Sequence, residues 1–563
     1  MGERADCPVI LIGFSGTGKS MVARGVARSL GWEAVDTDDE VVRLAGKSIP
    51  EIFNQDGEPH FRRLEREALA EACRKTRVVI ATGGGAVLHP HNRLLMRRSG
   101  VVVCLEANPG TIYRRLPRQD DRPQEVRPLL AMADPLERIL ELKQSRQAYY
   151  AMADWTVQTD HLTPSEVCEE VLRGRQYWLR SHLAGEAEGD ELDHACDVVT
   201  ATDHYPVFAG WGLLGSLGQR ARDEGLSGRA WVVADASVLS LYGESVLASL
   251  QKAEFGVKSF AVPPGEASKT LDTVSRIYDW LADGRAERRD LVVALGGGVI
   301  TDMAGMVAAT YLRGLSLINV PTTLIGMTDA SLGGKTAVNH PKAKNLVGSF
   351  YQPRLVVADV KALTTLPQRE LTSGWAEVIK HGLVLDPELA DFLEKKARKL
   401  LALDPQAATE AVRRSMAIKA RIVSEDEKEQ GRRILLNYGH TIGHGLEAAT
   451  GYTRFLHGEA VAVGVVGAAM LAQALGILPA ELVERHRKAL ETFGLPVSCS
   501  GVKVRDVMAA MELDKKVRSQ AVRWVLLEGV GRPVVRQDVP AQMVADVLEE
   551  LLGGSRRERA DER

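Results

Sequence analysis

Short apolar runs alternate with longer amphipathic stretches through the first third of the chain. Residues 7–13 form a compact apolar run, and 19–30 repeat apolar positions three and four apart. The runs at 78–81 and 101–105 are short and β-branched, while 58–75 and 134–151 carry helical periodicity. This alternation predicts a mainly parallel sheet covered by helices on both faces. The unit closes near Gly174. Residues 184–195 are acidic, contain glycine and have little to bury, so 175–202 is expected to be a linker. A second α/β pattern starts near Tyr205, with strands expected at 231–235, 291–295, 315–320 and 355–359. Beyond Pro367 helical periodicity dominates to about Leu490. An α/β-like stretch near 523–527 and a last helix near 541–552 follow, and the charged residues 556–563 are expected to be a disordered tail. The expected units are therefore 1–174, 203–360 and a mainly helical 361–555.

Composition narrows the classes. At 563 residues the chain exceeds one core, and 45% hydrophobic residues is ordinary for a soluble globular protein. Basic and acidic residues number 71 and 74, a net charge of −3, which argues against a general role on nucleic acid or a membrane surface. Six scattered cysteines without a CxxC pair read as reduced structural thiols. No signal peptide is evident and no run approaches the ~20 apolar residues of a membrane helix, so a cytoplasmic location is expected.

Candidate chemistry changes the picture at both ends. Gly13-Phe14-Ser15-Gly16-Thr17-Gly18-Lys19-Ser20 follows an apolar strand and opens a helix. The glycines let backbone N–H groups wrap phosphates, Lys19 reaches the terminal phosphates, and Ser20 can ligate magnesium. Asp36-Thr37-Asp38 then sets two carboxylates on one side of an extended segment, one able to hold magnesium and one to orient a hydroxyl. Phe61-Arg62-Arg63, Gly83-Gly84-Gly85, Arg127-Pro128-Leu129-Leu130, and Arg146 with Tyr150 follow in order. Arg63 alone reads as a surface residue.

This ordered set resembles shikimate kinase over about residues 7–173, which implies a P-loop kinase fold that binds ATP-Mg2+ and shikimate. The resemblance gives Gly16, Thr17, Gly18, Lys19, Ser20 and Arg127 to ATP, and Ser20 with Asp36 also to the magnesium. It gives Asp38, Arg62, Gly84, Gly85 and Arg146 to shikimate. Asp38 would face the attacking 3-hydroxyl, two arginines would pair with the carboxylate, and Arg127 on the lid would neutralise the transferring phosphoryl group. Arg122-Pro123 mimics the lid motif, and Arg114, Arg115 and Arg118 all stay candidates for adenine.

In the second half, Gly296-Gly297-Gly298-Val299 follows a strand, with Asp302 shortly after, a turn that can admit a pyrophosphate. Glu266, Lys269, Thr322 and Thr323 add polar groups that could bind a dinucleotide. Then come Asp329 to Thr336, Lys344-Asn345-Leu346 and Gly374-Trp375-Ala376-Glu377-Val378-Ile379-Lys380. His440 and His444 stand four apart in Asn437-Tyr438-Gly439-His440-Thr441-Ile442-Gly443-His444, with His457-Gly458-Glu459 beyond. On a helix the first two share a face, and imidazole suits a zinc with an open position.

The string resembles 3-dehydroquinate synthase over about residues 203–552, implying a Rossmann-type α/β domain, then a helical metal-binding domain. By the resemblance Glu377, His440 and His457 hold zinc, or cobalt in its place. NAD+ would meet Asp235, Glu266, Lys269, Gly297, Gly298, Val299, Asp302, Thr322, Thr323, Lys335 and Lys344. His444, Lys335, Asn345 and Asn437 would take the phosphate of the heptulosonate phosphate, although His444 could be a third ligand. Lys419 and Arg433 would take its carboxylate, and Asp329 and Lys380 its ring hydroxyls. Arg313 would reach a phosphate across a homodimer interface. One lysine of Asp514-Lys515-Lys516 should add a phosphate contact. Catalytic roles fall on Lys19, Asp38, Arg127, Lys335, Lys380, Lys419, Arg433 and His444. A polyol dehydrogenase, which would release NADH, and a catalytically dead scaffold are the rival readings.

Overall fold

The computed structural model describes residues 6–115, 135–150, 153–160, 162–183, 193–201, 203–429, 431–518 and 522–553. They form two compact units, Met1–Ala187 and Glu188–Arg563.

The first unit is built on five parallel strands. They are β1 (Val9–Ile12), β2 (Glu33–Asp36), β3 (Val78–Ala81), β4 (Val101–Glu106) and β5 (Trp155–Gln158), in the order β2-β3-β1-β4-β5. β1 is the central strand and all four of its residues are buried, as a strand covered on both faces requires. The helix Lys19–Leu30 buries Val22, Ala23, Val26 and Ala27, the three-and-four spacing read from the sequence. Its N-cap is Gly18 in the left-handed region, with no side chain capping it, so its first N–H groups are left for a ligand.

The second unit is built on a seven-stranded sheet. β6 (His194–Val199) runs antiparallel to β7 (His204–Gly210). β8 (Arg229–Asp235), β9 (Gly256–Val262), β10 (Leu291–Gly296) and β11 (Ser316–Pro321) follow. A hairpin of β12 (Lys335–His340) and β13 (Ala343–Phe350) then precedes β14 (Leu355–Asp359). The sheet order is β6-β7-β14-β11-β10-β8-β9. Along β10, Leu291, Val293 and Leu295 join one core while Val292 and Ala294 join the other, so both faces are covered. After β8 the chain moves to one side and after β10 to the other. The reversal opens a crevice at the carboxyl ends of these two neighbours, where Asp235 and Gly296 terminate their strands.

Helices then take over. Gln368–Leu385, Pro387–Leu401, Pro405–Glu425, His440–Ala449, His457–Ala474 and Ala480–Thr492 share one core with the hairpin of β15 (Trp524–Gly529) and β16 (Arg532–Arg536). The helix His457–Ala474 is long and apolar enough to cross a membrane, contrary to the expectation of no such run. Within this bundle 78% of it is buried, which explains its composition.

The linker is shorter than expected. The helix Pro164–Leu183 runs through its first part, and β6 occupies its end. Cys196 and Val198 of β6 point into the core on either side of Asp197, and Asp193 accepts hydrogen bonds from Arg220 and Arg413. The second α/β unit therefore begins before residue 203. The tail 556–563 lies outside the described residues.

Candidate functional sites

In the first unit the loop after β1 and the turn after β3 converge. Lys19 is buried and donates to the carbonyls of Gly13 at 2.8 Å and Phe14 at 2.9 Å, which holds its ammonium over the loop. Thr17 donates to the Phe14 carbonyl at 2.9 Å. Asp36, at the end of β2, accepts from the Asp38 N–H at 3.0 Å. The Gly84 carbonyl accepts from Arg146 at 3.1 Å and from Tyr150 at 2.7 Å. A side chain at Gly85 would collide with the Arg62 guanidinium, so Arg62 and Arg146 gather round one turn. Arg127, Arg118 and Arg122 lie outside the described residues. Arg115 instead donates to Thr159, at 2.8 Å from its hydroxyl and 2.6 Å from its carbonyl.

Sequence reading missed Glu65. It sits one helical turn beyond Arg62, which donates to it at 2.9 Å, and its Oε1 is buried without a partner. Burial pushes its carboxyl up against the pull of the Arg62 charge. The three-residue spacing from Arg62 was the available signal.

In the second unit the helix Gln368–Leu385 carries Glu377 and Lys380, one turn apart and both buried. Lys380 contacts Glu377 Oε2. The other oxygen, Oε1, is buried with no hydrogen-bond partner. His440 Nε2 and His457 Nε2 each stand 3.8 Å from it. Both imidazoles turn their other nitrogen to an acceptor: His440 to the Tyr438 carbonyl at 3.3 Å, His457 to Glu447 at 3.4 Å. Those bonds leave two Nε2 lone pairs aimed at one orphaned carboxylate oxygen. The residues fit a divalent metal with an open position. Burial, then the Lys380 charge, pushes His440 well below the usual imidazole range, as a neutral ligand needs. His444 is exposed, its ring 5.2 Å from that of His440, and with Glu447 and His457 it makes a second set of potential ligands.

Beside this set Lys419 contacts Asp329, and Lys335 contacts Glu429, which also accepts from Asn437 at 3.1 Å. Burial lowers Lys419 to about 8 although Asp329 opposes it. Asp329 falls below the usual carboxylate range: burial raises it, but Lys419 and Lys380 prevail. Glu429 and Glu447 were not singled out from sequence.

At the crevice the helix Gly298–Thr310 starts at Gly297 without a side-chain cap, and the Thr322 hydroxyl is buried without a partner. Free N–H groups at a glycine turn and an orphaned hydroxyl fit a dinucleotide pyrophosphate. Val299 follows Gly298 in that helix. Asp235 caps the next helix by accepting from the Ser237 N–H at 2.9 Å, and Thr323 accepts from the Gly326 N–H at 3.0 Å. Lys269 donates to Asp302 at 2.6 Å and to Asn345 at 2.5 Å, and Glu266 accepts from Asn339 at 2.7 Å. Burial, opposed by Lys269, raises Asp302 to about 6.

Three of these residues meet side chains that the sequence alone does not indicate. Asn345 joins the Lys269–Asp302 cluster instead of Lys335 and Asn437, because the β12–β13 hairpin carries it there. Lys335 contacts Glu429, beside Asn437. The Lys344 ammonium lies over the Tyr452 ring, 4.3 Å from its centroid. Arg313 is exposed and follows Leu312, with φ of 66° and 49°. The side chains of Asp514-Lys515-Lys516 lie outside the described residues.

Comparisons agree with this division. The shikimate kinase family matches residues 15–175, and the N- and C-terminal families of 3-dehydroquinate synthase match 259–373 and 374–517. The chain is 47% identical over 327 residues to a 3-dehydroquinate synthase of Citrifermentans bemidjiense, covering 58% of this chain and 90% of the relative. A solved 2-epi-5-epi-valiolone synthase of Streptomyces hygroscopicus, with NAD+ and Zn2+ bound, is 32% identical at a TM-score of 0.58, covering 63% of this chain and 97% of its own. A 2-deoxy-scyllo-inosose synthase complexed with carbaglucose-6-phosphate, NAD+ and Co2+ is 28% identical at 0.58, covering 63% and 99%.

Proposed function

The chain belongs to the 3-dehydroquinate synthase family and carries a shikimate kinase domain ahead of it, a fusion of both activities, and on that premise we propose how its residues divide the work. In the first unit Lys19 and the uncapped helix would bind the terminal phosphates of ATP, with Ser20 and Asp36 holding magnesium. Asp38 would orient the 3-hydroxyl of shikimate, and Arg62 and Arg146 would pair with its carboxylate. Glu65 would hold Arg62 from behind.

In the second unit 3-deoxy-D-arabino-heptulosonate 7-phosphate would become 3-dehydroquinate and phosphate with no net redox change. When bound, NAD+ supplies a hydride acceptor that is restored within the turnover, and the divalent metal, zinc or cobalt, supplies a Lewis acid. Glu377, His440 and His457 would hold the metal. Asp235, Gly297, Gly298, Thr322, Lys269, Asp302 and Asn345 would hold NAD+. Asp329 and Lys380 orient ring hydroxyls, and Lys419 and Arg433 take the carboxylate. His444, Lys335 and Asn437 surround the phosphate, where Glu429 weakens their pull enough to let it leave. Arg313 would complete a partner subunit's phosphate site in a cytoplasmic homodimer.

The unpaired Oε1 of buried Glu377, facing two Nε2 atoms, carries the synthase reading. Its test is phosphate release from the heptulosonate phosphate without net NADH. Stoichiometric NADH would instead mark a polyol dehydrogenase, and neither product a scaffold.

A further inference from the structure

Arg433 closes a ring of hydrogen bonds that reaches back to β7. Its side chain is only 2% exposed. Nη1 and Nη2 donate to the Gly333 carbonyl at 3.3 and 3.4 Å, and Nη1 also donates to the Glu427 carbonyl at 2.6 Å. The Gly333 N–H donates to Tyr205 Oη at 3.2 Å, and Tyr205 donates to Gln352 Oε1 at 3.2 Å. Gln352 Nε2 donates to Glu427 Oε1 at 2.8 Å, which returns the ring to its start. Tyr205 and Gln352 are both buried, and the mechanism above uses neither.

Two glycines admit this arrangement. Gly333 and Gly334 have φ of 90° and 66°. A Cβ at Gly333 would lie 2.5 Å from Arg433 Nη2, and one at Gly334 would lie 2.8 Å from the Gln352 side chain. Neither position tolerates another residue without displacing a member of the ring.

The ring decides which protons Arg433 offers. A guanidinium has five N–H donors. The ring takes both on Nη1 and one on Nη2. What remains is the Nε–H and the second Nη2 proton, which share one edge and match the two oxygens of a carboxylate. An unrestrained arginine would lose rotamer freedom on forming that fork; here the loss occurs in folding.

We propose that Tyr205 and Gln352 are positioning residues that set the Arg433 fork for the substrate carboxylate. The proposal rests on the assignment of Arg433 to that carboxylate. The test uses the full chain with Tyr205→Phe, Gln352→Met, the double variant, and Arg433→Gln as reference. The measurements are kcat, KM, bound metal, NAD+ affinity, and inhibition by two cyclic substrate analogues that differ only in the carboxylate. Each single variant should raise KM about 10-fold and weaken the carboxylate analogue by a similar factor. The analogue without the carboxylate, kcat, metal content and NAD+ affinity should stay within about twofold, and the double variant should be no worse than the worse single one. Equal weakening of both analogues, no weakening of either, or additive effects would overturn the proposal. If Tyr205→Phe fails to fold, Gln352→Met carries the same comparison. If Arg433→Gln does not separate the analogues, the carboxylate assignment fails and the positioning role with it. If Arg433→Gln separates them and the other variants do not, only the positioning role fails.

Discussion

His457 turns its two ring nitrogens to two different carboxylates, and the contact with Glu447 decides which nitrogen is free. Nδ1 lies 3.4 Å from Glu447 Oε2, while Nε2 faces Glu377 at 3.8 Å. Burial pushes the Glu447 carboxyl up, but the hydrogen bond and charge of His457 pull it below its ordinary value. An ionised Glu447 therefore keeps the proton on Nδ1 and the lone pair on Nε2.

Glu447→Gln should weaken metal binding about 10- to 100-fold, since the amide is a poorer acceptor and does not enforce the tautomer. Synthase activity should be low as purified and should recover with excess zinc. The check is a metal titration followed by assay. Unchanged affinity would make Glu447 an ordinary buried charge.

Lys19→Met should lower ATP-dependent phosphorylation of shikimate by on the order of 10³. The methionine retains the stem's bulk but loses the cation held by the Gly13 and Phe14 carbonyls. Dehydroquinate formation should not change. Assaying both activities on one preparation decides it, and a parallel fall in both would reveal coupling between the units.

Lys419 should impose an alkaline limit on the synthase. Burial, partly offset by Asp329, brings it to about 8, so it is charged below that pH and neutral above. Only the charged form pairs with a carboxylate. Values of kcat/KM should therefore decline above about pH 8, up to tenfold per unit, through a rising KM. In Lys419→Arg the limit should move upward. A limit that stays in place in that variant belongs to another group.

How far the site was legible depended on residue type. Glu377, His440 and His457 stand in strings of glycine, histidine and lysine that few unrelated sequences share, so the family resemblance those strings carry already implied their meeting. Glu65, Glu429 and Glu447 were not, because a glutamate on or near a helix reads as a solvated charge until its partner is known. β6 was hidden for a similar reason: it is only six residues long, is interrupted by Asp197 and follows directly on an acidic stretch. β13 was hidden because it is largely exposed on both faces and shows no alternation. The approach of Asn345 to Lys269 was not legible, since only the hairpin turn reveals it.

The corrected linker has its own consequence. A synthase chain starting at Glu188 retains β6 and Asp193, whereas one starting at His204 exposes the edge of β7 and leaves Arg413 without Asp193. Losing buried Cys196 and Val198 removes roughly 2–4 kcal/mol of burial. The shorter chain should melt at least ~5 °C lower, or aggregate, while the longer one and a kinase chain ending at Ala187 keep their activities. Thermal melts with both assays test this, and equal stability of the two synthase chains would return β6 to the linker.

Glu377→Gln probes the metal set most directly. The substitution keeps the shape and leaves an amide oxygen that can accept from Lys380, so the helix Gln368–Leu385 should stay in place. It removes the negative charge between two imidazoles and leaves the Lys380 ammonium buried without its counter-charge. Metal affinity should fall sharply, and the charge imbalance should cost stability on the scale of about 3 kcal/mol. The fold should survive, because an open three-ligand site supports chemistry more than folding. Kinase activity should persist, since its magnesium residues lie in the other unit. A strong chelator should reproduce the synthase loss in the unaltered chain, and added zinc should restore that chain but not the variant at equal concentration. Elemental analysis beside both assays is the measurement. Full metal occupancy with full synthase activity in Glu377→Gln would remove Glu377 from the ligands and leave His444, Glu447 and His457, the other set among the described residues within reach of one ion, to hold the metal.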